Sequence, residues 1–282
     1  MEIKKAFVAG AGTMGRGIAQ TIAEAGIEVM IADVSRDVAV KAIATISEGM
    51  QRRVARGEMK EEDKKAVLAR ITPARGFEDA AGADIVIEAV VEEMGRKREV
   101  FDALDRICSA SAVLATNTSA LSVSGIADAT RRPERVVGMH FFNPVPRMKL
   151  VEIVKGKRTA PETVAAVKAF AEKLGKTPVE VKESPGFIVN RLLIPMINEA
   201  VCLLAEGTAD PEAIDTAMKL GTGHPMGPLA LADLIGLDVC LFIMETFERE
   251  CKNSKYAPCP LLKQMVREGK LGRKTGRGFF TY

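Results

Sequence analysis

Two short apolar runs joined by a proline-bearing turn hold the residues best suited to moving a proton. His140, one of only two histidines, closes the run Val136–Met139, which reads as a buried strand. A turn containing Asn143, Pro144 and Pro146 follows, and then Leu150–Val154. If the second run is a strand, Leu150, Glu152 and Val154 share one face. A carboxylate among aliphatic neighbours is costly unless it finds a partner. A hairpin-like return would bring Glu152 to His140, and a histidine oriented by a carboxylate is poised for proton transfer near neutral pH. The plainer alternative is a core histidine capping a strand, with Glu152 on a solvated edge.

Other side chains with chemical potential are more scattered. Ser119 lies in Thr116-Asn-Thr-Ser119-Ala-Leu, where a strand end opens towards a helix. It can serve as an N-cap, as a hydrogen-bond partner for a substrate oxygen, or as both. Arg52, Arg53 and Arg56 lie off the apolar stripe of their helix and form a solvated face, or a cradle for the phosphates of a large anion. His224 stands among Gly and Pro turn residues, which suits a structural role. The five cysteines are an odd, scattered set with no CxxC pair, so free thiols are expected rather than a disulfide frame or a metal site.

A second constellation precedes these. Ala6–Ala9 reads as a strand running into Gly10-Ala11-Gly12-Thr13-Met14-Gly15, then a helix to Ala25, then a strand from Ile27 to Ala32 ending at Asp33. Strand, glycine-rich turn, helix and a second strand tipped by an acid form a dinucleotide-binding unit. Gly10 permits the tight turn, Gly12 lets backbone amides approach a pyrophosphate, and Gly15 lets the helix pack close. The helix N-terminus offers unpaired N–H groups to phosphate. Asp33 would accept from a ribose 2′-hydroxyl and repel a 2′-phosphate, favouring NAD; Arg36 nearby leaves NADP open.

These pieces imply a scaffold. Helices around a break at Gly57, strands at 83–91, 113–115 and 136–140, then a helix at 161–174 and a strand at 179–181 extend the pattern. The class is α/β: a Rossmann-like doubly wound sheet followed by an all-α C-terminal domain. The texture changes at Ser184-Pro-Gly-Phe187, so the domains are expected at 1–183 and 184–282. The segment 188–206 is apolar almost all round and should be a central helix buried on more than one side, bent at Pro195. Asp210-Pro-Glu should cap the next helix. Such an apolar domain suggests a buried dimer interface. A net charge of +3 with no tryptophan gives no support for nucleic-acid binding. No membrane span or signal peptide is expected, and a cytoplasmic location follows.

The motifs GAGTMG, TNTSAL, GMHFFNPVP, LVEIV, SPGFIVNR, HPMGPLALADLIGLD and LGRKTGRGFF run end to end through the chain. Together they resemble the 3-hydroxyacyl-CoA dehydrogenase family, most closely its short bacterial 3-hydroxybutyryl-CoA members. The resemblance implies reversible oxidation of an (S)-3-hydroxyacyl-CoA by NAD, with His140 as acid/base, Glu152 orienting it, and Ser119 and Asn190 holding the substrate oxygen. It implies cofactor contacts from the Gly10–Gly15 turn and Asp33, with Glu92, Lys97, Asn143 and Lys274 as further lining residues. It moves Arg53 and Arg56 towards coenzyme A and implies a homodimer through the C-terminal domain. Two alternatives stand beside it: a dehydrogenase of free β-hydroxyacids, and a non-enzymatic structural relative.

Overall fold

A computed structural model describes residues 3–282. The chain divides into two compact units, one ending at Ser184 and the other spanning Pro185–Tyr282. The first opens with β1 (Lys5–Ala9), α1 (Thr13–Glu24), β2 (Glu28–Ala32), α2 (Arg36–Ala55), α3 (Glu61–Leu68) and β3 (Ile71–Pro73). It continues with β4 (Ile85–Glu88), α4 (Met94–Ile107), β5 (Val113–Thr116), α5 (Val123–Ala127) and β6 (Val136–Phe141). The antiparallel return β7 (Leu150–Lys155), α6 (Pro161–Lys173) and β8 (Thr177–Lys182) complete it.

All eight strands form one sheet in the order β3-β2-β1-β4-β5-β6-β7-β8. The pairs from β3 to β6 are parallel, β7 runs antiparallel to β6, and β8 is parallel to β7. Strands β4, β5 and β6 are buried at every residue, as strands covered on both faces require. The strand order reverses between β1 and β4, which makes the ends of these strands the expected ligand crevice. Strand β3 is an addition to the sequence reading. Three residues ending in proline carry no alternation to detect. The strand expected over 83–91 is also shorter, because the chain leaves the sheet after Glu88.

The glycine turn shows why small residues stand there. Gly10 has φ of +112°, and a Cβ on Gly15 would lie 1.8 Å from the Gly10 carbonyl oxygen. That contact seats α1 directly on the end of β1.

The second unit is helical: α7 (Val189–Ala205), α8 (Pro211–Thr222), α9 (Pro228–Ile235), α10 (Leu237–Cys251) and α11 (Pro260–Arg267). Asp210 caps α8, its Oδ1 accepting from the Ala213 amide at 2.8 Å. Proline falls inside α7 at Pro195. The burial of α7 on more than one side is not found. Ile194, Ile197 and Val201 are buried, whereas Leu192 is 70% exposed. Leu220, Leu234 and Phe242 are exposed as well, so the apolar excess of this unit lies on its surface. No helix of the described residues is long and apolar enough to cross a membrane.

Gly15→Ala should cost about 1–3 kcal/mol, because the added methyl meets backbone, which cannot swing aside. Thermal unfolding followed by circular dichroism should show a lowered Tm; an unchanged Tm would mean that α1 does not depend on this close approach.

Candidate active site

The antiparallel pairing of β6 with β7 sets His140 directly opposite Glu152. The His140 Nδ1 and Glu152 Oε2 atoms are 2.7 Å apart, and both residues are buried. Glu152 is fully buried and β7 is flanked on its other side by β8, so the solvated-edge alternative fails. A carboxylate at Nδ1 fixes the ring's tautomer and orientation. Phe142 lies against the imidazole, with ring centroids 4.4 Å apart.

The turn between these strands is held from outside it. Lys176, 7% exposed, donates from Nζ to the carbonyls of Val145 at 2.6 Å and Met148 at 2.9 Å. Burial holds its ammonium below the usual lysine range. Asn143 is exposed at the start of this turn. Asn117, two residues before Ser119, accepts from the Phe141 amide at 2.9 Å and so ties the end of β6 to the loop after β5. Neither Lys176 nor Asn117 stood out in the sequence, since each acts on backbone far along the chain.

Ser119 is not an N-cap. Helix α5 begins at Val123 and its cap is Ser122. Ser119 donates instead to Glu92 Oε1, at 3.1 Å from its hydroxyl and 2.8 Å from its amide. The same oxygen accepts from the Thr118 hydroxyl at 2.6 Å and the Ala120 amide at 3.2 Å. Glu92 Oε2 lies 3.2 Å from Lys97 Nζ. Lys97 is only 1% exposed and bonds Glu88 Oε1 at 2.6 Å. Glu88 also accepts from Thr116 Oγ1 at 2.7 Å and the Val90 amide at 2.8 Å.

The two acids titrate in opposite directions. Burial pushes Glu88 above the ordinary glutamate range, against the pull of Lys97. At Glu92 burial acts the same way but is overcome, and Lys97, Thr118 and Ser119 hold the carboxyl below that range. Glu88 was missed in the sequence because it lies inside the strand expected over 83–91, while its partner Lys97 stands outside that run.

Beside this network lies a cavity of about 830 Å³ lined by Gly10, Gly12, Asp33, Phe77, Val90 and Arg96, among others. Gly12 is the N-cap of α1, and no side chain caps that helix, so its first amides keep their donors for a ligand. A Cβ on Gly12 would meet nothing within 4 Å, which leaves room for a group to approach the backbone. Thr13 and Met14 open the helix, and the Ala11 amide donates to Asp33 Oδ2 at 2.6 Å. Asp33 Oδ1 accepts from the Val34 amide at 2.8 Å, and each carboxylate oxygen retains capacity for a further donor. Arg36 is not among the lining residues. The anion-seeking helix end, the open Gly12 backbone and the acid at the tip of β2 fit a dinucleotide.

The remaining expected residues include two arginines at the end of α2. Arg53 pairs with Glu24 at 2.6 Å, and Arg56 pairs with Glu58 at 2.7 Å. Asn190 is the second residue of α7 in the other unit, and Lys274 there pairs with Asp238 at 2.5 Å. His224 is partly exposed in the turn between α8 and α9. All five cysteines are free thiols, and burial pushes Cys108 up to about 11 and Cys240 up to about 12. Among the described residues no cluster could hold a metal.

Residues 5–184 match the family model for 3-hydroxyacyl-CoA dehydrogenase, NAD binding domain, and residues 186–282 match that for the 3-hydroxyacyl-CoA dehydrogenase C-terminal domain. The chain is 54% identical over 282 residues to a probable 3-hydroxybutyryl-CoA dehydrogenase of Bacillus subtilis (strain 168), covering 100% of this chain and 98% of the relative. It is 48% identical over 278 residues to a 3-hydroxybutyryl-CoA dehydrogenase of Clostridioides difficile, covering 99% of each. Its fold superimposes with a TM-score of 0.97 on the crystal structure of (S)-3-hydroxybutyryl-CoA dehydrogenase from Ralstonia eutropha, at 47% identity and covering 100% and 99% of the two chains. The chain belongs to the 3-hydroxyacyl-CoA dehydrogenase family.

Proposed function

We propose that this chain oxidises (S)-3-hydroxybutyryl-CoA to acetoacetyl-CoA reversibly, with NAD as cofactor and His140 as the general acid/base. The observation that carries the assignment of roles is the buried 2.7 Å pair of His140 and Glu152 on adjacent antiparallel strands. The nicotinamide of bound NAD accepts or returns the hydride. In the oxidation direction His140 takes the substrate's hydroxyl proton, and Glu152 stabilises the imidazolium that results. In the reverse direction the imidazolium gives its proton to the developing alkoxide, and between turnovers His140 exchanges a proton with solvent, releasing one after oxidation and taking one up after reduction.

The cofactor's pyrophosphate is assigned to the amides at Gly12–Gly15 and its adenosine ribose to Asp33, beside the cavity that these residues line. A 2′-phosphate beside Asp33 would place like charges together, and Arg36 lies off the cavity lining. NADH is therefore preferred over NADPH. Ser119 is assigned to the substrate's C3 oxygen on the strength of the family resemblance and its fixed setting on Glu92. The parts given to Asn190, Asn143, Lys274, Arg53 and Arg56 rest on the resemblance alone. The ion pairs of the two arginines are partly exposed and cheap to exchange, so either side chain can turn to a phosphate.

Exposed Leu192, Leu220, Leu234 and Phe242 support a homodimer formed through the helical unit. A cytoplasmic location is part of the same proposal, in keeping with the free thiols.

NADH oxidation followed at 340 nm with acetoacetyl-CoA, beside NADPH and beside free acetoacetate, tests the reaction. Fast turnover with NADH on the thioester alone is expected; activity on the free acid without the thioester would shift the assignment to the free β-hydroxyacid reading. His140→Ala should bind NADH near the wild-type level while kcat falls by about 10²–10⁴-fold. Equal loss of NADH binding would make the residue structural.

A further inference from the structure

The buried charges on the floor of the site lie outside the proton-transfer pair. We propose that Glu88 is a positioning residue for the reaction: acting through Lys97 and Glu92, it sets the position of the Ser119 hydroxyl. This rests on the functional reading above, in which Ser119 addresses the substrate oxygen.

Glu92 divides its two oxygens between different partners. Oε1 receives four of the five donors of residues 118–120, the Thr118 amide going to Thr116 Oγ1, and Oε2 faces Lys97. Lys97 is asymmetric between its acids, 2.6 Å from Glu88 and 3.2 Å from Glu92. Glu88 therefore draws the ammonium towards itself and leaves Glu92's charge to be spread over the loop. Its own place is fixed by the Thr116 hydroxyl and the Val90 amide, and it is fully buried at the centre of the sheet.

Two carboxylates and one ammonium leave the cluster with a single negative charge, and that charge is presented at Glu92 Oε1. Removing the charge of Glu88 would let Lys97 close on Glu92 Oε2 and weaken the grip of Oε1 on Ser119. The Ser119 hydroxyl bond to Glu92 is long at 3.1 Å, so with the Ser119 and Ala120 amides keeping the loop on the same oxygen the hydroxyl can turn its hydrogen to the substrate's C3 oxygen. Glu88 touches neither substrate nor cofactor in this account. A purely structural ion pair would stabilise the fold without influencing turnover, and the two cases separate experimentally.

The test compares wild type, E88Q, K97M, the double variant E88Q/K97M, T116V and H140A. For each, kcat and KM for acetoacetyl-CoA, NADH affinity from the cofactor's own fluorescence, and Tm are measured. E88Q should lower kcat about tenfold with NADH affinity within about threefold of wild type. In the K97M background the same substitution should change kcat by less than about twofold, because its route to Ser119 is already cut. T116V removes the hydrogen bond to Glu88 at almost constant volume, together with the one that Thr116 Oγ1 accepts from the Thr118 amide, and should lower kcat by about two- to threefold even where E88Q fails to fold. Wild-type kcat in folded E88Q or in T116V overturns the inference, as do multiplicative losses from E88Q and K97M. An inactive H140A beside a fully active E88Q overturns this inference alone. An unimpaired H140A overturns the functional reading, and this inference with it.

Discussion

A carboxylate in the middle of a sheet needs a partner, and Glu152 has one because β7 runs against β6. Had the chain crossed over to make another parallel strand, Glu152 would have met a different residue, and its burial would have been an unrepaid cost of several kcal/mol. The antiparallel return places Glu152 opposite His140 within one local connection, and β8 then covers the far side of β7. In the functional reading, the departure from an all-parallel sheet is thus where the proton chemistry is assembled. Lys176 and Asn117 brace the turn and the strand end on which that register depends.

The sheet also sets the distance between this pair and the cofactor crevice. Glu88 on β4 is in register with Thr116 on β5, and Thr116 with Gly138 on β6. His140 follows Gly138 by two residues and so lies on the same face, about 7 Å further along the strand. The loop 116–120 leaves this row between the two sites. It is held by Glu92 on the cofactor side and, through Asn117, by the end of β6 on the other. One short loop therefore ties together elements from both halves of the sheet.

What could be read from sequence follows from how local the cause is. Alternation along Leu150–Val154 was enough to turn Glu152 towards its neighbours, and a proline-bearing turn was enough to suggest the hairpin. The Gly10–Gly15 turn and the Asp210 cap are equally local, since steric limits and one side-chain bond define them. Ser119 misled because its type and position fit an N-cap, while its partner Glu92 lies 27 residues away. Glu88 sits among aliphatic residues, but nothing local marks its charged partner. That partner is Lys97, nine residues on, with the Thr116 hydroxyl and the Val90 amide beside it. Helix α7 shows the converse, for apolarity on every side could not reveal which face one chain covers.

The two buried charge clusters differ in a way that matches what each must do. In the functional reading His140 changes protonation twice in every turnover, and its carboxylate partner meets it at Nδ1. Glu92 is built for the opposite task. Four donors converge on one of its oxygens and an ammonium faces the other, which holds the charged form in place. A group so heavily bonded is poorly placed to shuttle protons but well placed to keep a hydroxyl in place. In the functional reading, proton transfer and oxygen positioning therefore fall to separate acids, Glu152 and Glu92, and neither has to compromise its hydrogen bonds for the other's role.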